Sequence, residues 1–131
     1  MFTKNNVSAL EVELQEIASN YGFSPRIHSV KKDVVVMDKV NGICLADQYT
    51  DDPKKIPKHI WQDIHRILSI LYEREGIEYI DITSYNFMED SEGKIWIIDF
   101  GHAYYTDPSK KVNWFLKEFL DGEFGWNPDF A

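Results

Sequence analysis

The stretch from Ile77 to Tyr104, IEYIDITSYNFMEDSEGKIWIIDFGHAY, constrains this chain more than any other. It carries Asp81, then Asn86 five residues later, then Asp99 thirteen residues beyond that. Asp99 closes an apolar run, Ile95-Trp96-Ile97-Ile98, and is followed by Phe100 and Gly101. Between Asn86 and Asp99 lies EDSEG, in which Gly93 can take the positive φ that a tight turn needs. Residues 86–89 and 94–98 therefore read as a β-hairpin. Closing that hairpin brings Asn86 beside Asp99, with Asp81 in the loop leading in. One carboxamide and two carboxylates suit a hard cation such as Mg2+, which is held through one or two carboxylates together with water and substrate phosphate.

The rest of the chain has to supply a core for this stretch. At 131 residues it is expected to form a single domain, burying roughly two-thirds of its unfolded surface. Hydrophobic residues make up 44%, enough for a packed globule rather than a disordered chain. Cys44 is the only cysteine, which excludes an internal disulfide and a Cys-rich zinc site and points to a reducing, cytoplasmic setting. No apolar run reaches membrane-spanning length, and MFTKNNVSALEVE has no secretory core, so no membrane partner is expected. The formal charge is -8, and the Lys-Lys pairs at 31–32, 54–55 and 110–111 are scattered, which argues against a nucleic-acid partner.

Read in order, Ser8-Ala9-Leu10-Glu11 is a capping box in which Ser8 and Glu11 satisfy two amides at a helix start. Leu10, Leu14, Ile17, Ala18 and Tyr21 repeat as one helical face, and Gly22 ends it. Pro25 blocks continuation, residues 26–30 read as a strand, Lys31-Lys32-Asp33 as a polar turn, and Val34 to Met37 as a buried strand. Leu45 to Tyr49 fits a short helix, and DDPKKIP a loop, with Pro57 in the first turn of the next helix. Ile60, Ile64, Ile67, Leu68 and Leu71 form that helix's apolar stripe, and Gly76 lies past its end. His59 and His65 are six apart, the wrong spacing for a helical metal pair. Asp107 and Pro108 mark a further helix start, with Val112, Phe115, Leu116, Phe119 and Leu120 as its apolar positions. The aromatic tail GEFGWNPDFA is expected to pack on the core.

The pattern D-x4-N followed by I-I-D-F-G, at this separation and joined by a hairpin, resembles the catalytic and metal-binding loops of the protein-kinase superfamily. The resemblance implies an α+β, kinase-like fold over residues 1–131. Residues 1–40 would form a reduced N-terminal lobe of one helix and short strands with its connector, and 41–131 a truncated helical C-terminal lobe. It implies ATP and Mg2+ as ligands, with Asp81 as the catalytic base and Asn86 and Asp99 as metal ligands. V-M-D-x-V-x-G looks like the connector that binds adenine, which places Met37 at the back of a nucleotide pocket and the backbone of Asp38 and Val40 along its edge. The family's helical Glu, which pairs with a phosphate-binding Lys, would be Glu13, with Glu11 and Glu16 as competitors. Lys4, Lys32 and Lys39 are the candidates for that Lys.

The sequence also departs from the family. Tyr79-Ile80 stands where His-Arg is usual, and Thr83 where many Ser/Thr kinases have Lys. Seven residues precede Ser8, too few for a Gly-rich loop and the strand bearing the Lys, and no A-P-E follows D-F-G. The expectation is a kinase-like domain cut at both ends, similar to reduced viral or phage forms. Three functions stay open at this point. One is a minimal phosphotransferase. Another is a catalytically impaired pseudokinase or kinase mimic that docks on a protein partner, or forms a homodimer covering the truncated lobes. In the third, Asp81, Asn86 and Asp99 simply serve turns and caps.

Overall fold

The computed structural model describes residues 1–130. Strands β1 (Phe2–Lys4), β2 (Ile27–Lys31) and β3 (Val34–Met37) form an antiparallel sheet in the order β1-β3-β2, with helix α1 (Ala9–Asn20) connecting the first two in sequence. Only alternate residues of β3 are buried, Val35 and Met37, so one face of this small sheet is covered and the other is open. The residues before Ser8 supply one short strand that carries Lys4: Phe2 pairs with Met37, Thr3 with Val36 and Lys4 with Val35. Three residues of alternating type are too short to stand out in a sequence, and pairing with the Val-rich β3 defines them.

Ser8 caps α1 as expected, its Oγ accepting from the Glu11 N–H at 3.1 Å. The reciprocal half of the box is replaced, because the Glu11 carboxylate turns to Lys4 instead. The buried face of α1 also differs from the expected one. It consists of Glu11, Leu14, Gln15 and Ala18, while Leu10 and Tyr21 are exposed. The helix is rotated because Glu11 and Gln15 find buried polar partners: Gln15 Nε2 donates to the Pro25 carbonyl at 3.0 Å and contacts Met37 Sδ at 3.3 Å. At the C-terminus Gly22, with φ +79°, allows the Phe23 N–H to reach the Ala18 carbonyl, a Schellman closure.

The larger part of the core surrounds helix α3 (Lys58–Glu75), whose Ile60, Trp61, Ile64, Ile67, Leu68 and Leu71 are all buried. Pro57 precedes this helix as its cap rather than entering its first turn, and Gly76 follows it as expected. A second antiparallel sheet lies against it, formed by β4 (Gly42–Cys44), β6 (Phe87–Asp90) and β7 (Ile95–Ile97) in the order β4-β6-β7. The short helix α2 (Leu45–Tyr49) leads out of β4. Strand β5 (Ile77–Glu78) pairs with β8 (Tyr104–Tyr105), closing the two ends of the central stretch against each other.

Helix α4 (Trp114–Leu120) starts six residues later than Asp107 and Pro108 suggest. Asp107 closes a local turn with the Ser109 N–H and hydroxyl, and the Asn113 N–H is drawn to the buried Glu78 carboxylate at 2.9 Å. Asn113 then caps the helix through the N–H groups of Phe115 and Leu116. The tail packs as expected, with Trp126 4.4 Å from the Trp61 ring and stacked near Phe87. No helix of the described residues is long and apolar enough to cross a membrane.

Candidate active site

The hairpin β6–β7 forms where the sequence places it. Gly93 has φ +80°, and Asp90 organises the turn by accepting from the N–H groups of Glu92 and Lys94, each at 2.9 Å. The Trp96 indole N–H and these amides hold the Asp90 carboxyl below the usual carboxylate range. The Ile98 N–H donates to the Asn86 carbonyl at 3.1 Å, which brings the open ends of the hairpin together. Asn86 and Asp99 consequently face the same cleft. Asp81 precedes them at the centre of a tight turn in which the Ile82 N–H reaches the Ile80 carbonyl at 2.8 Å. Asn86 Nδ2 donates to the Asp81 carbonyl at 3.0 Å, which ties this turn to the hairpin.

Lys4 completes the polar end of the cleft. Its Nζ lies 2.5 Å from Glu11 Oε2 and 3.3 Å from Asp99 Oδ1. Burial alone would push the Lys4 ammonium down, but its hydrogen bond to Glu11 and the charge of Asp99 outweigh that and leave its pKa raised. Asp99 Oδ1 also accepts from the Gly101 N–H at 2.8 Å. A Cβ on Gly101 would stand 3.0 Å from that oxygen and 3.6 Å from Glu11 Oε1, so the glycine makes room for two converging carboxylates.

The expected Glu13 does not take part in this ion pair, because its carboxylate accepts from the Tyr105 phenol instead. Lys32 sits in the β2–β3 turn with φ +57°, and Lys39 lines the connector end of the cleft. Glu11 had a legible signal, since 11, 14, 15 and 18 follow the i, i+3, i+4, i+7 spacing of one helical face. Its acidity made it read as solvent-facing.

Tyr79, in the place where the family usually has His, is buried, and its hydroxyl donates to the Asp99 carbonyl at 2.5 Å. Burial first, and then the negative charges of Asp81, Asp99 and Glu11, push its phenol pKa well above 10, so it remains a donor. Its ring packs edge-on against Phe87 and Phe100. Tyr79 therefore ties the Asp81 loop to the backbone of Asp99.

The cleft, about 400 Å³, runs from this polar end to the connector. Met37, Asp38 and Val40 line the connector end, Met88 and Ile98 give it an apolar surface, and Lys4, Asn86 and Asp99 form its polar end. Asp81 lies outside the lining. The Asp38 N–H is taken by the Arg26 carbonyl at 2.9 Å. A hydrogen bond to His28 Nε2 holds the Asp38 carboxyl below its ordinary range.

The donor set at the polar end fits magnesium. Asn86 Nδ2 is engaged with the Asp81 carbonyl, leaving the carboxamide oxygen, and among the described residues Asp99 Oδ2 has no partner. At this end the Lys4 ammonium is already shared between the carboxylates of Glu11 and Asp99, so a polyphosphate needs additional positive charge to approach. Among the described residues no three His, Cys, Asp or Glu side chains converge on a metal position, so a cation here would share its coordination with phosphate and water.

The sequence model of the RIO domain matches residues 5–119. This chain belongs to the RIO-domain family. Among curated proteins, this RIO-domain chain is similar to the EKC/KEOPS complex subunit BUD32 of Encephalitozoon cuniculi, with 33% identity over 97 residues, 72% of this chain and 47% of that protein. It is also similar to 3-deoxy-D-manno-octulosonic acid kinase of Xylella fastidiosa, with 29% identity over 86 residues, 64% of this chain and 33% of the kinase. Its fold is that of the Rio2 kinase from Chaetomium thermophilum, solved as an ADP/Mg2+-phosphoaspartate complex. The TM-score is 0.64 at 18% identity, covering 86% of this chain and 35% of that one. The chain thus spans from a third to less than half of these relatives, and the α+β kinase-like fold is shared across that span.

Proposed function

We propose that this RIO-domain chain binds Mg-ATP in the cleft and transfers a phosphoryl group to an acceptor hydroxyl. The observation that carries this reading is the convergence of Lys4, Glu11 and Asp99 at the polar end of a cleft that runs past apolar Met88 and Ile98 to the connector. Met37 and the backbone of Asp38 and Val40 would bind the base. Lys4, oriented by Glu11, would meet the phosphates. Asn86 and Asp99 would hold magnesium, which supplies the positive charge that phosphoryl transfer requires. Asp81, pinned through its carbonyl, would orient the acceptor hydroxyl and take its proton.

Positioning and charge compensation supply most of the catalysis in phosphoryl transfer, and this constellation serves both. The similarity to a sugar-acid kinase and to a complex subunit leaves two acceptor classes to test, a small polyhydroxylated molecule and a protein partner. The reading is tested by ATP turnover in native protein and in Asp81→Asn. Turnover should fall about 10²- to 10⁴-fold while ATP affinity is retained. Equal turnover in the two proteins would remove Asp81 from the reaction.

A further inference from the structure

Below the Asp81 turn runs a segment that the family match does not reach, since that match ends at residue 119. Asn127 in this segment is fully buried. Its Nδ2 donates to the Ile80 carbonyl at 2.8 Å, and its backbone N–H donates to the Ile82 carbonyl, also at 2.8 Å. Residues 80 and 82 are the two ends of the tight turn that has Asp81 at its centre. With the Asn86 bond to the Asp81 carbonyl, three successive carbonyls of this turn are held from outside it.

Asn127 is itself fixed. Its Oδ1 accepts from the Asp129 N–H at 3.0 Å, and its carbonyl accepts from the Phe130 N–H at 3.1 Å. On one side Trp126 packs into the Trp61 and Phe87 rings. On the other, Asp129 accepts from the Trp114 indole of α4, and Phe130 lies 5.0 Å from the His102 ring, next to Gly101. A buried carboxamide with donor and acceptor both satisfied by backbone is a costly group to bury for packing alone. An apolar side chain at this position would need no partners.

We infer that Asn127 is a positioning residue that fixes the Asp81 backbone by bridging the carbonyls on either side of it, so that the tail segment 126–130 sets the geometry of the catalytic loop. The inference rests on the reading of Asp81 as the group that faces the acceptor. A two-residue span closed only by its own bond would open readily. Bridged at both ends, the turn keeps the carboxylate of Asp81 in one direction.

The test uses the full chain with Asn127→Ser and, as a second variant should the first fail to fold, Asn127→Ala. The latter removes the donor to Ile80 without burying a charge. Trp126→Phe serves as a packing control. Amide hydrogen exchange at Ile82, whose N–H closes the turn, is compared with exchange at Ile98 in the hairpin. In either Asn127 variant Ile82 should speed up about tenfold or more relative to Ile98, the effect of losing one buried hydrogen bond. In Trp126→Phe the two amides should move together. In the same Asn127 variants kcat should drop about tenfold with the KM for ATP nearly unchanged, a loss confined to the reacting geometry. Equal change at Ile82 and Ile98 in the Asn127 variants overturns the inference, as does an unchanged kcat in a folded variant. If native protein transfers no phosphate, the proposed function fails, and Ile82 exchange still decides whether Asn127 holds the loop.

Discussion

The β1-β3-β2 sheet and the body built on α3 are anchored very differently. Beneath the sheet lies a cluster of only three buried residues, Val7, Val35 and Met37, with Val12 and Ile27 at its margin. The body buries a continuous cluster that runs from Leu14 through α3 and the hairpin to Phe119. Asp81, Asn86 and Asp99 all belong to the well-anchored side, and Lys4 alone belongs to the sheet. Hydrophobic stabilisation scales with buried apolar area, so the acidic groups are held firmly and the ammonium is held loosely. Helix α1 links the two sides, sending Leu14 and Ala18 into the large cluster and Val12 toward the small one. The ion pair of Lys4 and Glu11 is therefore the joint between a rigid half-site and an adjustable one.

Removing one core residue from each side should expose the difference in anchoring. Phe87→Ala should cost about 3–5 kcal/mol in urea unfolding, a large fraction of the stability of a chain this size. Val35→Ala should cost about 2 kcal/mol, expressed mainly as faster amide exchange in β1 and β3. Equal costs would mean that the sheet is anchored as firmly as the body.

The joint itself comes next. Lys4→Met leaves the Glu11 carboxylate buried without its ammonium, for an expected loss of about 2–3 kcal/mol in thermal or urea unfolding. Adding Glu11→Gln to that variant removes the stranded charge and should recover part of the loss. A double variant less stable than Lys4→Met would show that Glu11 is held by something other than Lys4.

Within the rigid half, Tyr79→Phe removes the hydroxyl that reaches the Asp99 carbonyl and keeps the ring packing on Phe87 and Phe100. Stability should fall by about 1–2 kcal/mol, the effect of leaving one buried acceptor unpaired. An unchanged stability would show that the Asp99 backbone is placed by the hairpin alone.

The smallest effect is on the alkaline side. The phenols of Tyr49 and Tyr105 are hydrogen-bonded to Glu89 and Glu13, which pushes both up to about 12. A phenol raised above its unfolded value of about 10 adds stability that is fully present below pH 10 and is lost as pH climbs through about 12. Phenolate absorbance in the folded protein should show these two groups titrating late, along with the buried Tyr79, and Tyr105→Phe should remove one late-titrating phenol. Because Tyr105 ties β8 to α1, that variant should also loosen α1 slightly. Titration of every phenol near 10 would contradict the two hydrogen bonds.

The sequence made the rigid half far easier to read than the adjustable one. The hairpin, its Gly93 turn, the α3 stripe and the meeting of Asn86 with Asp99 follow from short-range pattern and turn chemistry. Lys4 and Glu11 depend on long-range pairing. Strand β1 is three residues long and exists through its register with β3, and the Glu11 face of α1 is buried because Lys4 and the sheet lie over it. A helical face with a Glu and a Gln among its buried positions reads as solvent-facing until its partners are known. The late start of α4 has a similar origin, since Glu78 captures the Asn113 N–H across 35 residues of sequence. Asn127 carried no periodic signal and stood only as part of an aromatic tail.

The role of Asp99 in nucleotide binding is decided by calorimetric titration of ATP, with and without magnesium, into native protein and Asp99→Ala. Asp99 is partly exposed, so its loss should leave the fold intact. Native protein should bind ATP in a magnesium-dependent way, with affinity weakened about tenfold or more in the variant through loss of one charged ligand at the polar end. Absence of magnesium-dependent binding by native protein, or equal affinity in the two proteins, would contradict that role.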